Sequence, residues 1–84
     1  MRTPIIAGNW KMNGLRASLA EIRRVAEHPS AASCDVVICP PATLIHAAAE
    51  IAPGGAVGIG AQDCHAAPMG AHTGDIAAVQ LKDA

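Results

Sequence analysis

Two polar side chains follow a short apolar segment near the start of the chain. Residues 4–8 read PIIAG and residues 9–14 read NWKMNG, so Asn9 and Lys11 come where a buried strand is predicted to end. In parallel α/β proteins, ligands bind at the carboxyl ends of strands, and a lysine there offers a compact positive charge to a phosphate, a carboxylate or a developing oxyanion. If the extended backbone continues to Lys11, side-chain alternation places both residues on one face. The pattern indicates an anion-binding site.

A plainer interpretation of the same residues stays open. Asn13 and Gly14 form a dipeptide that is typical of turns, and Asn9 can be an amide whose hydrogen bonds are satisfied locally. Lys11 is then a solvated loop residue.

The composition indicates part of a larger fold. The chain has 84 residues, which allows one domain at most, and 51% of them are hydrophobic, but many of these are alanine and the only aromatic residue is Trp10. Small side chains bury little area each, so a self-sufficient core is not expected.

The charge and the cysteines exclude several classes of protein. Six basic and seven acidic residues give a formal net charge of -1, which argues against nucleic acid or an anionic membrane as a partner. No apolar run is long enough to span a membrane, and Arg2 alone does not make a signal peptide, so we expect a cytoplasmic protein. The three cysteines lack CxxC spacing, which disfavours a disulfide framework or a zinc knuckle.

Apolar periodicity predicts alternating strands and helices. Strands are predicted at residues 4–8, 34–39 and 57–62, helices at 15–28, 43–51 and 75–84, and a polar loop at 63–74. Such alternation predicts an α/β fold with a parallel sheet. Three strands that are apolar on both faces do not complete such a fold, so we expect an N-terminal fragment of a larger domain.

The first helix carries the clearest pattern. Its apolar stripe consists of Leu15, Leu19, Ile22 and Ala26. Ser18 and Glu21 have the spacing of a capping box, so the helix can also begin at Ser18. Pro29 and Ser30 are predicted to end it, and residues 53–55, which read PGG, to end the second helix.

Three segments together resemble the triosephosphate isomerase family. They are AGNWKMNG at 7–14, CPPAT at 39–43 and GAQDCHAAPMGAHTGDI at 60–76, which are similar to the first three strand ends of that family. The resemblance implies a (β/α)8 TIM barrel, of which residues 1–84 are the first three β/α units and the N-terminal part of a single domain. It also implies the interconversion of dihydroxyacetone phosphate and D-glyceraldehyde 3-phosphate through an enediolate, a reaction of glycolysis and gluconeogenesis in which general acid–base catalysis moves the proton.

Family roles transfer to two residues of the first segment. The resemblance implies that Asn9 binds substrate, and that Lys11 binds substrate and acts catalytically by neutralising the phosphate and the enediolate charge. The family's catalytic histidine and glutamate lie beyond Ala84, and none of the four histidines here takes that position. The isolated fragment is therefore expected to be inactive and to fold poorly. No cofactor is expected, because proton transfer between adjacent carbons needs none and no GxGxxG or Walker sequence is present.

The resemblance also implies a homodimer through the loop at 63–74. In the family this loop reaches the active site of the other subunit, with Thr73 at its tip and Gln62 bracing the first strand from within. The implied interface residues are Gln62, Thr73, Gly74 and Asp75. The loop departs from the family pattern at three positions: Asp63 stands where the family often has Asn, His72 where an aromatic is common, and Asp75 where Glu is usual.

Three other readings of the chain remain. Residues 70–74 before a helix could bind phosphate through backbone amides without any catalysis. Cys64, His65 and His72 could hold a metal, although three ligands at irregular spacing are a weak signal. The exposed edge of an unfinished sheet could serve as an oligomerisation segment.

Overall fold

Strands and helices alternate as predicted. The computed structural model describes residues 2–27, 33–52 and 56–84. Short 3-10 turns at Arg16–Ser18 and Ala42–Leu44 lead into the first and second helices. The elements are β1 (Ile5–Asn9), α1 (Leu19–Glu27), β2 (Asp35–Cys39), α2 (Ile45–Ile51), β3 (Gly58–Ile59) and α3 (Ala78–Asp83).

The three strands form a parallel sheet in the order β1-β2-β3. Asn9 at the end of β1 lies opposite Cys39 at the end of β2, and Ile38 lies opposite Ile59 of β3. Because all three strands run in the same direction, their carboxyl ends meet at one edge of the sheet. The predicted α/β fold with a parallel sheet is confirmed, and the sheet is open.

The core lies between β2, β3 and the helices α1 and α2. Ile22 of α1 and Ala48 of α2 are fully buried, and Ile38 of β2 joins the same cluster. Burial of each isoleucine side chain contributes about 1.5–3 kcal/mol to the free energy of folding, before the entropy cost of ordering the chain is subtracted. The remaining members of the cluster are Ala52 and Val57, with Trp10, Leu19, Ala26, Val36, Ile51 and Ile59 packed against it while partly buried.

β1 corrects the prediction of a strand buried on both faces. All five of its residues are exposed, and Ile5 and Ile6 retain 65% and 59% of their accessible surface. β1 stands at the edge of the sheet and pairs with β2 on one side only, among the residues the structure describes. The three strands and their helices therefore leave the apolar side chains of β1 exposed.

The start of α1 also differs from prediction. Leu15 has an extended backbone and is 78% exposed, so it leaves the apolar stripe, whereas Leu19, Ile22 and Ala26 keep it. The Ser18 hydroxyl accepts a hydrogen bond from the Leu15 N–H at 3.0 Å, so it binds the turn before the helix rather than the helix that follows. α1 is described to Glu27; the stops predicted at Pro29–Ser30 and at 53–55 lie outside the described residues.

β3 is shorter than predicted and α3 begins later. Strand pairing ends after Ile59 with one further bond, from the Gly60 N–H to the Ile38 carbonyl at 2.8 Å. The predicted helix start at Asp75 is wrong because residues 75–77 bond back to the loop instead: the Ile76 carbonyl accepts from the His65 N–H at 2.7 Å, and His65 and Ala77 form a parallel bridge. No helix in the described ranges is long and apolar enough to cross a membrane.

Candidate functional site

Lys11 has an unusual backbone conformation just past the end of β1. Its φ is 60°, the only positive value at a residue other than glycine in the described part of the chain. The extended backbone therefore stops at Asn9. The sequence-based prediction that Asn9 and Lys11 share one face of a strand required an extended backbone as far as Lys11, so it does not hold. The Asn9 Oδ1 accepts a hydrogen bond from the Lys11 N–H at 2.8 Å, which is an Asx turn that compensates for a conformation disfavoured in L-residues.

The following residues close this turn. The Asn13 side-chain amide donates to the Trp10 carbonyl at 2.8 Å. Gly14 has a φ of 113°, and a Cβ there would lie 2.8 Å from the Trp10 ring, so this position requires glycine for both conformation and space. Residues 9–14 thus form a turn defined by side-chain hydrogen bonds.

Gln62 ties the turn to the neighbouring strand ends. Its Nε2 donates to the Lys11 carbonyl and to the Cys39 carbonyl, both at 2.9 Å. The Cys39 carbonyl also accepts from the Trp10 N–H at 3.1 Å. One side chain from beyond β3 therefore links the carboxyl ends of β1 and β2, which is the bracing contact that the resemblance implies.

The arrangement leaves the lysine charge available. Lys11 is exposed and forms no ion pair with another described residue. Asn9 uses its Oδ1 to hold the backbone, which leaves its Nδ2 as a donor. An ammonium group and an amide donor at the carboxyl edge of a parallel sheet can bind a phosphate or stabilise an oxyanion.

The loop after Gln62 is a second organised region. The Asp63 carboxylate accepts from the Ile76 N–H at 2.9 Å, and the His72 carbonyl accepts from the Asp75 N–H at 3.0 Å. A cavity of about 180 Å³ lies inside the loop, between Pro68 and Met69 on one side and the start of α3 on the other. The Asp63–Ile76 bond joins the two ends of the loop, and the His72–Asp75 bond closes a turn at its C-terminal end.

The predicted site residues fall into two groups. Asn9, Lys11 and Gln62 are linked by the hydrogen bonds above. Thr73 and Gly74 are exposed in the loop beside Asp75, and no hydrogen bond joins them to Asn9 or Lys11 among the described residues.

Two alternatives from sequence are wrong. Across residues 2–27, 33–52 and 56–84, no group of three histidine, cysteine or acidic side chains could hold a metal, and the rings of His65 and His72 stack on each other. Residues 70–74 do not lead into a helix, because α3 begins at Ala78 and has only six residues.

Sequence reasoning missed two contributors. The Cys39 carbonyl accepts two hydrogen bonds at the site, and a backbone group leaves no signal in side-chain patterns. His65 organises the loop through its ring, although the sequence suggested only a metal ligand.

Comparisons with known proteins agree on one family. The family model described as triosephosphate isomerase matches residues 4–84. The chain is 56% identical over its full length to the triosephosphate isomerase of Ruegeria pomeroyi, covering 34% of that protein. It is 57% identical over 83 residues to that of Xanthobacter flavus, covering 99% of the chain and 33% of the relative.

A solved structure supports the same relationship. The structure of triosephosphate isomerase from Bartonella henselae matches with a TM-score of 0.89 and 45% identity, over 98% of this chain and 34% of that one. The three parallel β/α units are accordingly part of a TIM-barrel fold. The chain spans about a third of the length of the relatives it matches, and it belongs to the triosephosphate isomerase family.

Proposed function

We propose that the protein carrying this chain is a triosephosphate isomerase that interconverts dihydroxyacetone phosphate and D-glyceraldehyde 3-phosphate. These 84 residues are the N-terminal part of its single TIM-barrel domain and supply the part of the active site that neutralises negative charge. The observation that carries the proposal is Lys11, held at a φ of 60° by Asn9 and Gln62 at the carboxyl edge of a parallel sheet.

The reaction moves a proton between two adjacent carbons through an enediolate. Negative charge develops on the enediolate oxygen while the substrate phosphate stays charged. Lys11 is the catalytic and substrate-binding cation that offsets both charges, and the Asn9 Nδ2 donates to a substrate oxygen. The turn at 9–14 fixes both groups before substrate arrives, which reduces the cost of ordering them during the reaction.

Proton transfer itself needs groups from outside this chain. An ammonium and an amide stabilise charge but do not take a proton from carbon at neutral pH. The family resemblance assigns the base and the carbonyl-polarising group to a glutamate and a histidine on later strands. No cofactor enters this chemistry, because the electrons stay within the substrate.

The proposal is tested by replacing Lys11 in the complete gene product. Lys11→Met should lower kcat/KM by about 10²–10³-fold, as expected for loss of a group that stabilises transition-state charge. Lys82→Met, at an exposed position in the last turn of α3, is the matched control and should leave kcat/KM unchanged. Activity of Lys11→Met within about threefold of the wild type would reject the proposed role.

The isolated 84-residue chain should have no isomerase activity. It should be purified from a host without an isomerase of its own and assayed beside an equally treated empty-vector preparation. Turnover above that control would contradict the assignment of the base to later strands. If the chain instead self-associates with concentration and has no affinity for phosphate, the exposed edge of β1 would favour an oligomerisation segment.

We further propose that the protein is a homodimer in which the loop at 63–74 contacts the other subunit. Thr73 and Gly74 are exposed at its tip, and Gln62 and Asp75 flank it. A groove next to the turn at 9–14 can receive the tip, since Leu15 on its wall is 78% exposed. The groove is lined by Gly14, Leu15, Arg16, Ala17, Thr43 and Leu44.

The dimer is tested by adding a bulky charge at the tip. Thr73→Arg should shift the mass measured by light scattering from dimer towards monomer and lower activity with it, because a buried unpaired charge opposes association. Thr3→Arg, also exposed but before β1, should remain dimeric. Equal masses for the two variants would exclude this loop from the interface.

The setting of the protein follows from the same features. The substrate is a small phosphorylated triose, and neither nucleic acid nor membrane is proposed as a partner of a chain with a net charge of -1. Cys34, Cys39 and Cys64 are unpaired, which suits the reducing cytoplasm. Fractionation of cells with an antibody against the protein tests this location.

A further inference from the structure

The rings of His65 and His72 lie stacked inside the loop at 63–74. Their centroids are 3.9 Å apart and their planes meet at 28°. The His65 Nδ1 accepts a hydrogen bond from the Ala67 N–H at 2.9 Å, and its Nε2 lies 3.9 Å from the Asp75 carboxylate. We propose that this histidine pair is an acid-sensitive latch that keeps the loop closed at neutral pH and releases it on protonation, a role that rests on the proposed dimer for its effect on the subunits.

The hydrogen bond at Nδ1 fixes the protonation state of the closed loop. A nitrogen that accepts a hydrogen bond carries no proton, so the proton of the neutral His65 ring is assigned to Nε2, which faces Asp75. Adding a second proton at Nδ1 sets two donors, Nδ1–H and the Ala67 N–H, against each other. Protonation of His65 therefore breaks the bond that folds residues 65–67.

The stacked partner adds to the effect. If both rings carry a proton, two positive charges stand face to face at about the stacking distance, and like charges this close oppose the closed conformation. Among side chains, histidine is the one that ordinarily changes charge between about pH 5 and 8.

The other charged groups around the pair are few. The Asp75 carboxylate is 47% exposed and lies 3.9 Å from the His65 Nε2, so its attraction for a positive charge on the pair is weak. Asp63 is occupied by the Ile76 N–H, and α3 presents the neutral Gln80 to the cavity. One partly exposed carboxylate at this distance does not offset two positive charges.

Opening of the latch would weaken association of the two subunits. The tip of the loop, with Thr73, is exposed and is held mainly by these contacts and by the bonds at residues 75 and 76. An open loop must be ordered again before it can pack against another subunit, and this weakens association.

The experiment measures hydrogen exchange of the loop and the mass of the complete gene product at pH 7.5 and 5.5. Exchange is expressed as protection factors, which removes the intrinsic effect of pH. Protection of residues 63–77 should fall at least about fivefold at the lower pH, and the dimer should dissociate more readily, while protection of β2 stays constant. The combined variant His65→Asn with His72→Phe keeps an acceptor near Nδ1 and a stackable ring but does not titrate, so its loop protection should change by less than about twofold.

The controls separate this latch from other effects of acid. His46→Asn removes an exposed histidine of α2 and should keep the full response. His72→Phe alone, which retains His65, should show an intermediate response. An unchanged loop in the wild-type protein, or a full response in the combined variant, would overturn the latch. A monomer at both pH values with a responsive loop would reject the dimer and leave the latch standing.

Discussion

The Gln62 Nε2 lies 2.9 Å from the carbonyl oxygen of Lys11, although 51 positions separate the two residues in the chain. The same nitrogen donates to the Cys39 carbonyl. A residue that follows β3 therefore sets the backbone of a residue that follows β1. The position of the proposed catalytic cation therefore depends on the assembly of all three strands.

Loss of this donor should lower stability and activity together. Gln62→Glu replaces the NH2 group with a carboxylate oxygen that faces two carbonyl oxygens, so the contact becomes repulsive. We expect the free energy of unfolding to fall by about 1–3 kcal/mol, measured by urea denaturation, and kcat/KM to fall as Lys11 loses its support.

Gln80→Glu is the matched control for this change. Gln80 acts as an acceptor, with its Oε1 receiving the Ala77 N–H at 2.9 Å, and glutamate keeps that oxygen. Its stability should stay within about 0.5 kcal/mol of the wild type. Equal losses in the two variants would mean that the bonds of Gln62 do not support the site.

Substitution of Lys11 should separate stability from function. Glycine adopts a φ of 60° without the steric cost that alanine carries, so Lys11→Gly should be more stable than Lys11→Ala by about 1 kcal/mol. Both variants lack the ammonium group and should lose activity to the same extent. Calorimetry together with a steady-state assay checks this; a less stable glycine variant would show that the positive φ is not kept in solution.

Patterns local in sequence were predictable. The prolines at 4 and 40 mark a strand start and a strand end, and both strands lie within one residue of prediction. Ile22 was placed correctly on the buried face of α1 by helical spacing alone. Such features depend on residues that are only a few positions apart, and hydrophobic periodicity is a pattern over the same short distance in sequence.

Features set by distant residues were not predictable. The left-handed conformation of Lys11 depends on Asn9 and on Gln62, and the late start of α3 depends on bonds between Ile76 and residues 63 and 65. The exposure of β1 follows from its position at the edge of the sheet, and the strand order is set by contacts between distant parts of the chain. The type of each element was therefore clear from sequence, while the geometry of the site and of the loop was not.

Truncation of the central core residue should destabilise the protein strongly. Ile22 is fully buried against the sheet and α2, so Ile22→Ala removes apolar contacts and leaves a cavity. We expect a loss of about 2–5 kcal/mol in the free energy of unfolding. Val25→Ala on the same helix, at a side chain that is 39% exposed, should cost about 1 kcal/mol or less. Similar losses for both would place the packing face of α1 elsewhere.

Gly60 should not tolerate a side chain while Cys39 stands beside it. A Cβ at Gly60 would lie 2.7 Å from the Cys39 Sγ, closer than van der Waals contact allows, so either the thiol must rotate or the strands must separate. Gly60→Ala should therefore lower the free energy of unfolding by about 1–3 kcal/mol.

Removal of the sulfur should relieve this clash. In the combined variant Gly60→Ala with Cys39→Ala, part of the lost stability should return, so the two changes together should cost less than the sum of their separate effects in a double-mutant cycle. Because the Cys39 carbonyl receives bonds from Trp10 and Gln62, a forced separation of the strand ends would also displace Lys11, and activity should recover along with stability. Additive losses of stability would show that β2 and the residue after β3 do not approach as closely as the geometry requires.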